Sequence, residues 1–227
     1  MSLPGLVVLR IFVVFIELTT RLLDTLLLLW RPRLLWPYFK LWMRELIASP
    51  YRLQRSFETT RLLQATGQEF NELMYGEMPI HTGVWVFHKA GLGPDSRLVD
   101  LGAGRGRTLL SARWLRAQAR GVELMERHVL LASGPVQQAG AELVLGDATQ
   151  ADLQDATHVF INWTAFTLET RARFIERFRT CRPGTRIITV TRAVDAPGFT
   201  VLSRHRLLFT WGFESVWVQE YRPAPAP

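Results

Sequence analysis

The stretch VDLGAGRGR, residues 99–107, constrains this chain more than any other. A hydrophobic strand runs there into a turn with glycines at 102, 104 and 106. Lacking Cβ atoms, Gly102, Gly104 and Gly106 let the backbone take positive φ and let a flat ligand lie against it. The strand closes on an acid, Asp100. The spacing then predicts a helix from Thr108 to Ala117, apolar at 109, 110, 112 and 115. Its N-terminal N–H groups face the same ligand, which makes the segment a strand-turn-helix nucleotide site.

Strand and helix signals alternate after that turn. Strands are predicted at 119–124, 142–146, 157–163 and 185–191, with helices from Glu126 to about Ala139 and over 167–181. Such alternation specifies an α/β fold: a mostly parallel Rossmann-like sheet, helices on both faces, ligands at the carboxyl ends of the strands. RLLFTW (206–211) and SVWVQEY (215–221) read as an antiparallel pair that finishes the sheet. Upstream, YGEMPI (75–80) reads as a loop before a helix at 82–92, and the polar stretch from Pro50 to Leu73 as helical. The organisation expected is an extension over 1–56, a catalytic-size domain over 57–222 and a disordered tail over 223–227.

Three acids fall at consecutive strand ends: Asp100, Glu123 and Asp147. Glu123 lies where a carboxylate accepts hydrogen bonds from both hydroxyls of an adenosine ribose. Asp147, with Ala148 beside it, is placed to meet an adenine amino group. Asp100 faces the cationic part of a ligand, since a pyrophosphate would repel it. The glycine spacing also departs from the dinucleotide fingerprint, with one residue rather than two between Gly104 and Gly106. The set points to S-adenosyl-L-methionine, although each acid singly could instead cap the helix after it.

DLGAGRG with GVE (121–123) resembles the class I S-adenosylmethionine-dependent methyltransferases over about residues 75–221. YGE (75–77), VDLGAGRGR, GVE, GD (146–147), VFINWTAF (159–166) and RPGTRIITV (182–190) follow the order found in Dot1-like protein lysine methyltransferases. That resemblance implies a lid loop carrying Tyr75 and Glu77, an adenine bordered by Phe160, and Asn162 beside the transferring methyl. It departs from the family at Trp163, where a second asparagine is usual, and at Arg107, a cofactor-contacting position. By their chemistry, Asn162 can aim an attacking amine, and Trp163, Phe166, Trp211 and Trp217 are candidate walls of an apolar channel, Trp211 foremost; core packing is the alternative for each aromatic. The histidines show no metal spacing, so no metal is expected, and His81 reads as a loop residue. A lone cysteine, Cys181, fits packing in a reduced cytoplasmic protein.

The net charge of +7 suggests nucleic acid until its distribution is considered: residues 1–56 hold +5 of it in the most hydrophobic part of the chain. That combination suits an anionic membrane surface better than a nucleic-acid groove. Residues 4–30 are long enough to span a bilayer, yet Arg10, Glu17, Arg21 and Asp24 interrupt them in one narrow stripe. The stripe allows an interfacial helix or one whose polar edge pairs with the rest of the protein. The next segment mixes Trp30, Trp36, Tyr38 and Trp42 with Arg31, Arg33 and Lys40, as at headgroup depth. Peripheral or monotopic attachment is therefore expected, with a protein or a small lipidic molecule as substrate; a binding scaffold without turnover is the further alternative.

Overall fold

A computed structural model describes residues 3–47 and 76–223, and the side chains of 14–45 and 76–223. The helix expected between Pro50 and Leu73, Tyr75, and the tail from 224 lie outside the described residues, as does the Arg10 side chain. The strands are β1 (Arg97–Leu101), β2 (Gln118–Glu123), β3 (Glu142–Leu145), β4 (His158–Ile161), β5 (Arg186–Val190), β6 (Phe199–Phe209) and β7 (Gly212–Tyr221). They make one sheet in the order β3-β2-β1-β4-β5-β7-β6. The first five are parallel, and β7 is antiparallel to β5 and to β6.

The antiparallel ending agrees with the sequence, but β6 begins at Phe199 rather than 206. Its first half, FTVLSRH, leaves Val201 and Leu202 exposed because it is an edge strand, open to solvent along one side, and so shows no clean apolar–polar alternation.

The helices are α1 (Leu3–Leu29), α2 (Pro32–Ile47), α3 (Ile80–Lys89), α4 (Arg107–Trp114), α5 (Glu126–Gln138) and α6 (Leu168–Phe178). Pro79, at φ −58°, leads directly into α3. Helix therefore starts within the expected loop, and His81 is helical rather than a loop residue. Two apolar clusters flank the sheet. One joins side chains of α1 to α5 with Leu98, Phe160, Ile188 and Val218; the other packs Phe174 and Phe178 of α6 against Val99, Val159 and Ile187.

The N-terminal helices belong to the first cluster. Leu28, Leu34, Tyr38 and Leu41 are buried with Leu109, Ala132 and Val136. The polar stripe of α1 turns inward: Asp24, 1% exposed, accepts from the backbone N–H of His81 at 2.9 Å and meets its Nδ1 at 2.6 Å. Arg21 pairs with Glu45 of α2. The polar edge thus pairs with the protein, one of the two arrangements its spacing allows. No helix among the described residues is long and apolar enough to cross a membrane.

Candidate active site

The glycine turn is built by alternating positive φ at Gly102 (84°), Gly104 (54°) and Gly106 (77°). Gly102 and Ala103 both donate their N–H groups to the carbonyl of Val122, at 2.9 and 3.1 Å, which folds the turn back over β2. The Gly104 N–H donates to Glu123 Oε2 at 2.8 Å, and the Met125 N–H to Glu123 Oε1 at 2.9 Å. One carboxylate at the end of β2 thereby ties the turn to the next loop. Gly106 differs from the other two. It stands at the N-cap of α4, outside the cavity wall, and a Cβ there would lie 2.6 Å from Val136 of α5. Its lack of a side chain is required by helix packing, a role beyond the ligand contact expected of it from the sequence.

A cleft of about 980 Å³, counting the open solvent at its mouth, lies at the carboxyl ends of β1, β2 and β4. Of the residues singled out from the sequence, Glu77, Asp100, Gly102, Gly104, Glu123, Asp147, Ala148, Phe160 and Asn162 line it together. Arg107, Thr108, His128 and Phe174 line it as well. His128 and Phe174 carry helical spacing that reads as core, so sequence alone does not separate them from packing residues; His128 lies 3.4 Å from Glu123.

The two central carboxyls are shifted in opposite directions. Burial pushes Asp100 up to about 7, with a nearby Glu123 adding to the rise and the Thr108 hydroxyl, which donates to Asp100 Oδ2, opposing it. Asp100 Oδ1 has no hydrogen-bond partner among the described residues. Glu123 is also pushed up by burial, but the His128 hydrogen bond and charge and the Met125 and Gly104 N–H groups outweigh that and hold it below the ordinary range. Asp147 caps the short turn Ala148–Gln150 through the Thr149 N–H at 2.9 Å and still lines the cleft, so capping and lining coexist in one residue.

Three aromatic wall candidates are corrected. Trp163 is 2% exposed, donates its indole N–H to the Arg192 carbonyl at 3.0 Å and packs beside Phe178, because it points to the opposite face of the sheet from Asn162. Trp217 sits on β7 under Arg204 and away from the cleft. Trp211 does not line the cleft either; its ring covers Gly76, where a Cβ would meet it at 2.6 Å, so it backs the lid-side wall instead of forming it. Phe166 does line the cleft, stacked on Phe174 at 5.4 Å. Asn162 is held by Thr164, whose hydroxyl donates to Asn162 Oδ1 at 2.7 Å, a partner the sequence does not signal.

Glu77 is tied into the wall by Arg107, 2.7 Å away, and Arg107 donates to both oxygens of Glu45 at 3.0 and 2.8 Å. A residue of α2 thus reaches the cleft wall through one arginine. Among the described residues, no group of histidine, cysteine or acidic side chains is arranged to hold a metal.

This fold is that of the class I S-adenosylmethionine-dependent methyltransferases. An RNA methyltransferase from Salinibacter ruber in complex with S-adenosyl-L-homocysteine matches with a TM-score of 0.56 and 22% identity, over 66% of this chain and 96% of that one. TrmN from Thermus thermophilus matches at 0.54 and 16%, over 72% of this chain and 53% of its own. The magnesium protoporphyrin IX methyltransferase of Synechocystis PCC 6803 with bound S-adenosyl-L-homocysteine matches at 0.52 and 13%, over 63% of this chain and 81% of that one. Likeness at such identities is one of fold. No protein-family model matches the sequence, and no curated protein matches it.

Proposed function

We propose that the protein transfers a methyl group from S-adenosyl-L-methionine to a lysine amine of a membrane-associated protein on the cytoplasmic side. The observation that carries the methyl-donor reading is the acidic set in one cleft: Asp100 with an unpartnered oxygen, ionised Glu123, and Asp147. These residues fit the donor. Asp100 suits its ammonium, Glu123 the ribose hydroxyls, and Asp147 with Phe160 the adenine. When bound, S-adenosyl-L-methionine supplies a methyl already activated by the sulfonium charge.

The protein's own task is then to orient and to exclude water. Asn162 Oδ1, fixed by Thr164, keeps a lone pair for an N–H of the entering amine. Phe166 and Phe174 form an apolar wall that favours the uncharged amine, and so the form that can attack. Asn162→Ala should lower kcat by about a hundredfold with little change in donor affinity, since it removes positioning of the nucleophile alone.

The lysine assignment is supported by the sequence motifs shared with Dot1-like enzymes, and the membrane setting by the basic, apolar extension. Solved structures of the same fold are described as acting on RNA and on a porphyrin, so the deciding experiment offers all targets. Cell membrane and RNA fractions are incubated with protein and methyl-labelled donor, then separated into protein, lipid and nucleic acid. Label in a protein band, recovered as methyl-lysine after hydrolysis, is the expected result. Label confined to lipid overturns the lysine reading in favour of a lipidic substrate, and label confined to RNA overturns the membrane-protein reading altogether.

A further inference from the structure

The outward side of α1 is more apolar than the side it buries. Its inward row is Ile16, Thr20, Asp24 and Leu28, two of them polar, while Phe15, Leu18, Leu22, Leu26 and Leu29 point out, each about half exposed or more. Helix α2 does the same with Trp36, Phe39 and Met43, all exposed. A water-facing helix is arranged the other way round. Contiguous exposed apolar surface on this scale marks an interaction site.

From this inversion we infer that α1 and α2 form a monotopic docking face for an anionic phospholipid bilayer, with α1 lying in the interface plane. The occupant follows from the chemistry around the apolar rows. Trp30, 82% exposed, and Trp36 stand at their margin, as aromatic side chains do at headgroup depth. Arg33 is exposed beside them, and Lys40 lies over the Trp36 ring at 5.2 Å. Of the acids that would repel anionic headgroups, Asp24 and Glu45 are buried in ion pairs with His81, Arg21 and Arg107, and the half-exposed Glu17 is paired with Arg21. Apart from the paired Glu17, the charge beside the apolar rows is therefore positive, the sign that lipid phosphates attract. Those same inward pairs argue against spanning, because burying Arg21 and Asp24 in the protein fixes which side of α1 is left for lipid. This inference rests on the membrane setting proposed above but not on the methyl transfer.

The test uses the full chain with mixed phosphatidylcholine–phosphatidylglycerol vesicles. The protein should float with them and bind neutral phosphatidylcholine vesicles less, and brominated acyl chains should quench its tryptophan emission, an effect lost in a Trp30→Phe, Trp36→Phe double variant. Replacing Leu18, Leu22 and Leu26 with Asn should weaken binding more than about tenfold while leaving donor binding unchanged, since none of the three reaches the cleft. Unchanged vesicle affinity in that triple variant overturns the proposal. So does a stable dimer that the triple variant dissolves in the absence of lipid, which would make a second copy the occupant; a lack of donor binding with vesicle binding intact would instead count against the methyltransferase reading alone.

Discussion

Asp100 and Glu123 stand on adjacent strands, line one cleft, and are shifted in opposite directions. Asp100 is raised to about 7 by burial, while Glu123 is held low by His128 and two backbone N–H groups. A cationic donor needs Asp100 ionised, so its binding displaces a proton below that value. Donor affinity should rise about tenfold per pH unit as pH climbs towards 7 and level off above it, and Asp100→Asn should flatten that slope; calorimetry across pH 5 to 8 reads it. Stability moves the other way. The folded state holds the Asp100 proton more tightly than the unfolded chain, so this group's contribution falls as pH rises from about 4 to about 7. A slope that persists in Asp100→Asn would assign the proton to another group.

The glycines separate by the same kind of reasoning. At Gly106 an added Cβ meets Val136 at 2.6 Å with φ at +77°, so Gly106→Ala should cost about 2 kcal/mol of stability in denaturant melts. At Gly102, φ is +84° but nothing lies within 4 Å, so Gly102→Ala should cost about 1 kcal/mol and act chiefly on donor affinity. Equal effects of the two on stability and on binding would contradict the division between packing and ligand contact. The sequence shows three equivalent glycines, because only the partner across each turn, α5 or the cleft, distinguishes them.

At the scale of elements, the parallel part of the sheet was legible because short apolar-rich runs alternate with helical spacing between turn residues; β2, QARGVE, is the exception, marked by its closing acid. The cleft was legible because its acids sit at strand ends. What escaped has a common cause. Trp163 follows Asn162 just where β4 ends, and only the geometry of that exit sends one into the cleft and the other into the core. Glu45 lies far along the chain from the glycine turn, so its contact with Arg107 had no local signature. Removing it is informative: Glu45→Ala leaves Arg107 and Arg21 with one fewer buried anion and should destabilise the fold by about 3 kcal/mol, with Glu45→Gln costing less. Chemical denaturation checks it. If Glu45→Ala melts like the parent, the arginines are satisfied without α2, and the cleft wall does not depend on the extension.

On the scale of the whole molecule, that dependence decides whether the chain has a detachable anchor. Composition sets residues 1–56 apart as a separate attachment region, yet Leu28, Leu34, Tyr38 and Leu41 are buried in the same cluster as α4 and α5 side chains. Full burial of an apolar side chain contributes about 1.5–3 kcal/mol, so the four together amount to about 6–12 kcal/mol, comparable with the net stability of a whole domain. Deleting residues 1–47 should therefore do more than free the protein from vesicles. It should expose the α4–α5 face, remove Glu45 from Arg107, and yield a chain that aggregates or melts at least about 10 °C lower with weakened donor binding. Differential scanning calorimetry and donor titration of the truncated chain test this together. A truncated protein with parental melting temperature and donor affinity would show that the extension is an independent anchor, and that the ion pairs from Arg21 to Glu77 are incidental to the site.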